Sequence, residues 1–232
     1  MSRVVEILST RPVEDELISL ARGKNIILHA IPFIRTEPVE SIEIQQEVEQ
    51  AILLKTTVVF TSMNAVEAVN TFVIDEIVQW DIYCIGGATR ELAEKYFTGS
   101  VISGTSDNAE ELAQLIIEEN ISDEIIFFCG DQRRDELPDA LREAGINVTE
   151  VIVYETVYLP RKIVKHYDGI LFFSPSAVNS FFSVNTIADD TYIFAIGKTT
   201  GETVKQFCNN RIITPNEPSK RALINEAIEY FT

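Results

Sequence analysis

Short strand-forming runs alternate with longer amphipathic stretches along the whole chain, and this alternation limits the fold more than any other feature. The runs at 57–60, 82–85, 125–128, 170–173 and 192–196 are rich in β-branched and aromatic residues, and a helical pattern follows most of them. Continuous apolar strands of this kind belong to parallel sheets covered by helices. The fold class is therefore α/β with parallel sheets.

The order of these units also repeats. FTSMNAV, ending at Val66, resembles FFSPSAV, ending at Val178, and sets Ser62 over Ser174. IYCIGGATREL from Ile82 then runs beside IFAIGKTTGET from Ile193, with Gly86 over Gly197 and Thr89 over Thr200. Ile102 and Leu112 continue the match onto Ile213 and Leu223. Near the start of each copy, DEL at 15–17 recurs at 135–137, Gly23 falls near Gly145, and Thr36 lies over Thr156. An offset of roughly 110–120 residues suits a duplicated domain, since solenoid repeats run about 20–50. The 232 residues then divide into two lobes, each large enough for its own core, and a working site in the cleft between them is expected. The polar stretch 35–41 and the strand-like VYETVYLP at 153–160 are the candidate hinges.

Composition removes several functions. Nineteen basic against 36 acidic residues leave a net charge of −17, which repels a nucleic-acid duplex or an acidic membrane but leaves a small anionic ligand possible in a locally basic cleft. No apolar run approaches the roughly 20 residues needed to span a bilayer. Residues 1–12 reach Arg3 and Glu6 without the basic-then-apolar order of an export signal, so a cytoplasmic protein is expected. Cys84, Cys129 and Cys208 are odd in number and lack CxxC spacing, which points to reduced thiols. The two histidines, His29 in a strand and His166 in a surface loop, give no metal-binding pattern, and no metal is expected.

The chemistry-bearing candidates cluster just after strands, at the edge where open α/β sheets bind ligands. IGGAT (85–89) and IGKTT (196–200) each open a helix, whose free amides attract carboxylates or phosphates; an ordinary turn with a capping threonine is the other reading. Neither is GxGxxG or GxxxxGK[ST], so nucleotide binding has no local support. Ser62 and Ser174 are placed for capping or ligand contact, and neither lies in the GxSxG setting of a nucleophile. Arg134, in CGDQRRDELPDALREAG, either reaches the cleft or is solvated, and Tyr154 is either a phenol beside the cleft or a half-buried strand aromatic.

Taken in order, TRP at 10–12, FTSMNAV at 60, IGGAT at 85, the G-x-x-x-R-x-x-L of Gly130, Arg134 and Leu137, VYET at 153, FSPSAV at 173 and AIGKTT at 195 resemble the uroporphyrinogen-III synthase family over nearly the whole chain. The resemblance implies two flavodoxin-like lobes with the N-terminal strands exchanged into the C-terminal lobe. Lobe one would hold 1–34 and 160–232, lobe two 39–152, and 35–38 with 153–159 would form a two-stranded linker. It implies closure of linear hydroxymethylbilane with loss of its hydroxyl, attack through a spiro intermediate, inversion of the last pyrrole ring, and no cofactor. Tyr154 matches the family's tyrosine acid. Ser62, Thr89, Ser174, Thr199 and Thr200 would bind the substrate's carboxylates, with Arg11, Arg134 and Lys198 supplying charge. The partner is this small molecule alone, for a monomer in at most transient contact with neighbouring pathway enzymes. The alternative is a non-catalytic two-lobed binding or regulatory protein of the same fold.

Overall fold

A computed structural model describes residues 3–74, 76–120 and 123–232, so Met1 and Ser2, where an export signal would begin, lie outside it. In chain order the first half comprises β1 (Val5–Ser9), α1 (Asp15–Gly23), β2 (Ile26–Ala30), β3 (Ile34–Pro38), α2 (Ile42–Ile52), β4 (Thr57–Phe60), α3 (Met63–Asn70), β5 (Asp81–Ile85) and α4 (Ala88–Tyr96). There follow β6 (Val101–Ser106), α5 (Ala109–Glu119), β7 (Glu124–Gly130), α6 (Glu136–Glu143) and β8 (Asn147–Tyr158). The last stretch carries β9 (Gly169–Phe172), α7 (Pro175–Phe182), β10 (Tyr192–Ala195), α8 (Lys198–Lys205), β11 (Ile212–Ile213) and α9 (Lys220–Tyr230). The expected α/β class with mostly parallel sheets is what forms.

The chain folds as two compact units, one of Met1–Arg35 with Val157–Thr232 and one of Thr36–Thr156. The first contains a five-stranded sheet in the order β11-β10-β9-β1-β2, the second a six-stranded sheet in the order β3-β8-β7-β4-β5-β6. The chain passes from one unit to the other within β3 and β8, which are neighbours in the second sheet.

Alternation along the strands explains why each sheet has a core on both faces. In β4, Val58 and Phe60 enter a cluster with Trp80, Phe97 and Phe128, whereas Val59 faces the other way, toward Tyr83, Leu112 and Phe127. In the first unit Ile7, Leu171 and Phe194 pack under α1 and α9, and their neighbours Leu8, Phe172 and Ile193 pack with Phe33 and Phe181 on the opposite face. Truncating one of these buried phenylalanines to alanine costs about 3–5 kcal/mol. Helix starts follow capping rules: Ser41, Asn108 and Ser219 each accept the backbone N–H three residues on, at 3.2, 2.9 and 3.1 Å.

One irregularity matters for the site. β7 and β8 pair in parallel with Cys129 opposite Ile152, but Gly130 opposite Tyr154, so Val153 is an extra residue in the ladder. Val151 and Val153 both point into the Phe60–Phe128 core, and strict alternation would turn Tyr154 to the far face. The bulge re-aims its ring to the same face, against that core.

Candidate functional site

Where successive connections of an open parallel sheet leave in opposite directions, a crevice opens at the carboxyl ends of the two strands and ligands bind there. In the six-stranded sheet β4 connects through α3 toward β5, and β7 through α6 toward β8, so the crevice lies between β4 and β7. In the five-stranded sheet β1 leads to β2 on one side and β9 leads to β10 on the other, which puts the crevice between β1 and β9. Every sequence candidate follows, or ends alongside, the carboxyl end of a parallel strand.

The second unit brings two of them into contact. Ser62 ends the turn after β4 and caps α3, its Oγ accepting the Ala65 N–H at 3.2 Å. The same hydroxyl lies 3.1 Å from the phenol oxygen of Tyr154 and hydrogen-bonds to it. Tyr154 is held from behind by Gly130: a Cβ there would stand 2.3 Å from the ring's Cζ, so only glycine lets the ring lie where it does. The backbone is pinned as well, since the Asp131 N–H donates to the Tyr154 carbonyl at 3.1 Å and the Asp131 carboxylate accepts the Thr156 N–H at 2.8 Å. Beside the ring, Thr36, Pro38, Asn64, Glu67 and Thr71 line a hollow of about 130 Å³. Ligand pockets usually run to about 300–1,000 Å³, so this one suits a ring-sized portion of a larger molecule.

Arg134 and Thr89 stand apart from this pair. Arg134 is exposed and ion-pairs with Glu136 at 3.5 Å in the first turn of α6. Its neighbour Arg133 is held by the carboxylates of Glu150 and Asp135; burial alone would weaken its charge, but these two partners outweigh it and keep the guanidinium protonated. The capping role for the loop threonines is corrected by the structure. The N-caps of α4 and α8 are Gly87 and Gly197, with no side-chain cap bond, because Thr89 and Thr200 lie two and three residues past those caps, inside the helices, and turn inward. Both are buried. Gly87 has φ +67°, a conformation that side-chain-bearing residues rarely adopt.

In the first unit, Arg11 follows β1 and its guanidinium lies over the Phe173 ring, 5.6 Å from the centroid. The next residue, Ser174, caps α7 by accepting the Ala177 N–H at 3.2 Å. Thr10 ties the two loops together, donating its hydroxyl to the Leu171 carbonyl at 2.7 Å. Lys198 and Thr199 open α8 on the next strand over, and Lys198 is almost fully exposed, 3.9 Å from Glu202. Each crevice thus offers a capping serine and a helix start rich in free amides, a setting for carboxylate or phosphate oxygens. Among the described residues no group of three or more His, Cys, Asp or Glu is placed to hold a metal ion, and no helix is long and apolar enough to cross a membrane.

Three residues of the site lay inside segments already quoted, but without these roles: Gly130 and Asp131, which fix the tyrosine, and Asn64, which lines its hollow. Gly130 stood in a quoted motif, yet nothing in the sequence showed what approached it.

Comparison with known proteins points one way. The family model described as uroporphyrinogen-III synthase HemD matches residues 15–225. A curated relative, uroporphyrinogen-III synthase of Saccharomyces cerevisiae, is 29% identical over 115 residues, a stretch that spans 43% of this chain and 42% of the yeast protein. Among solved structures, a mutant uroporphyrinogen III synthase from the extremely thermophilic bacterium Thermus thermophilus superposes with a TM-score of 0.69 at 13% identity, covering 98% of each chain. Uroporphyrinogen-III synthetase from Helicobacter pylori gives 0.68 at 14% identity, covering 97% of this chain and 99% of that one. At such identities the two structures speak for the fold.

Proposed function

The chain belongs to the uroporphyrinogen-III synthase family, and we propose that it closes linear hydroxymethylbilane to uroporphyrinogen III, with inversion of the last pyrrole ring and loss of water. The observation that carries this reading is the phenol of Tyr154, set on Ser62 beside the crevice of the six-stranded sheet. The departing group is a hydroxyl on a pyrrole methylene. It leaves as water when the phenol passes it a proton, while the pyrrole nitrogen supplies electrons to the carbon left behind. The proton released on ring closure restores the phenol.

Most of the task is geometric. The bilane closes by itself without inversion, so the protein must hold the last ring in the orientation that leads through the spiro intermediate. We assign Ser174, Thr199 and the helix-start backbone amides around Thr89 and Thr200 to the substrate's carboxylates, with Arg11, Arg134 and Lys198 supplying positive charge against a protein of net charge −17. We further place the protein in the cytoplasm, a reading supported by its three free cysteines, and take it to act as a monomer.

The test is incubation with freshly generated hydroxymethylbilane and separation of the products. The type III isomer supports the assignment. If the type I isomer alone appears, at the spontaneous rate, the chain is a binding protein of the same fold and the assignment fails.

A further inference from the structure

The geometry points to Ser62 as a positioning residue that acts through Tyr154: its hydroxyl holds the phenol oxygen for proton transfer and takes up the charge left there when the proton departs. This rests on the assignment of Tyr154 as the acid, and it gives Ser62 a role other than gripping a substrate carboxylate.

A serine hydroxyl has one proton and two lone pairs. The Ala65 N–H fills one lone pair from the first turn of α3. That amide belongs to the positive end of the helix, so accepting from it polarises the Ser62 O–H bond and makes it a better donor. The acceptor within reach is the phenol oxygen at 3.1 Å. With Ser62 donating to it, the phenol keeps its own proton for the ligand. When the Tyr154 O–H bond breaks and its proton joins the leaving hydroxyl, the C–O bond breaks with its electron pair and water departs. The phenol oxygen then bears a full negative charge. A hydrogen bond to a charged acceptor is roughly twice as strong as one to a neutral acceptor, so the Ser62 contact tightens in the transition state and lowers the barrier. The chain Ala65 N–H, Ser62 Oγ, Tyr154 Oη thus delivers the helix start to the reacting oxygen. The matching serine of the other unit differs: among the described residues, the Ser174 hydroxyl makes its cap bond and no hydrogen bond to a tyrosine.

The experiment measures kcat, KM and the denaturant midpoint for Ser62→Gly and Ser62→Thr, each alone and combined with Tyr154→Phe. Glycine is nearly as good an N-cap as serine but has no hydroxyl, so Ser62→Gly keeps the helix start and removes the donor. It is expected to lower kcat about tenfold, the scale of one charge-assisted hydrogen bond, with KM within about twofold. Ser62→Thr, which retains the hydroxyl, is expected to recover kcat to within about threefold. In the Tyr154→Phe background Ser62→Gly is expected to add no further loss, because the oxygen it served is gone. A native kcat for Ser62→Gly while Tyr154→Phe is slow would overturn the positioning role and leave Tyr154 standing. Equal losses in both backgrounds would overturn it too, by showing that Ser62 acts on the substrate itself. A native kcat for Tyr154→Phe would remove the acid assignment, and the Ser62 role with it.

Discussion

Gly130→Ala tests the tyrosine's position without touching its chemistry. The added Cβ would lie 2.3 Å from Cζ, 2.5 Å from Cε2 and 2.7 Å from the hydroxyl of Tyr154. Carbon atoms in contact prefer about 3.5–4.0 Å, so a gap of about 1.2 Å must be opened. The strand backbones cannot supply it, because the ladder from Glu124 to Cys129 and the Asp131 N–H hold β8 in register. The ring has to swing, and a swing of about 1 Å carries the phenol oxygen from 3.1 Å to beyond hydrogen-bond reach of Ser62. The ring end is free to give, so the overpacking cost belongs at the low end of about 1–3 kcal/mol, and the protein stays folded with Tm lower by a few degrees. Activity should suffer far more, since a misplacement of about 1 Å can cost about a hundredfold. We expect kcat for formation of the type III isomer to fall about a hundredfold, close to the loss in Tyr154→Phe, where the general acid itself is removed. Combining the two changes should do no further harm. A Gly130→Ala protein that unfolds cooperatively and turns over within twofold of the native chain would refute the reasoning, as would a double variant whose loss is the full product of the single ones.

Three further outcomes are expected. Thr89→Val keeps the backbone amide and the volume of a buried residue and deletes its hydroxyl, so KM should stay within about twofold with stability changed by about 1 kcal/mol; a several-fold rise in KM would show that the hydroxyl reaches the substrate. Asp131→Ala removes the acceptor of the Thr156 N–H and should cost about 0.5–1.5 kcal/mol, read as a lower urea midpoint, and an unshifted midpoint would dismiss that bond as a structural tie. The Glu6 carboxyl is held below its usual 4.5, first by the hydrogen bond from Lys165 at 2.9 Å and then by His29. A depressed carboxyl stabilises the fold above its unfolded value and loses that contribution as pH falls through the folded one. Lys165→Met should therefore flatten the loss of stability below about pH 4.5, and equal slopes in the two proteins would exclude the contact as its source.

Sequence patterning revealed the architecture well because duplication doubled each signal. Ser62 and Ser174 were expected to cap or to bind, and both cap; the five apolar runs all fall on strands, with 170–173 and 192–196 each running one residue past the strand end. Thr89 and Thr200 misled because position after a glycine looks the same whether the side chain turns back to the cap or inward to the core. The geometry at Tyr154 depends on the extra residue Val153, and a one-residue bulge changes which face a side chain occupies without leaving a mark in an alternating pattern. Arg134 shows a different limit, since its pairing with Glu136 is a choice among exposed charges that spacing does not decide.

The divided make-up of the first unit also orders events during synthesis. Glu6 bonds to Asp168, 162 positions later, so the strand it sits on waits roughly 10–30 s at the ribosome for its second neighbour, β9. All of Thr36–Thr156 emerges in that interval, and both of its core clusters lie within those residues. Once it folds, β3 and β8 lie side by side and bring residues 35 and 157 together, cutting the loop that β1 and β9 must close by about three-quarters. Loop-closure entropy then falls by about 1 kcal/mol. The inserted unit thus serves as a clip for the unit it interrupts, and the segment made before it is among the last to settle.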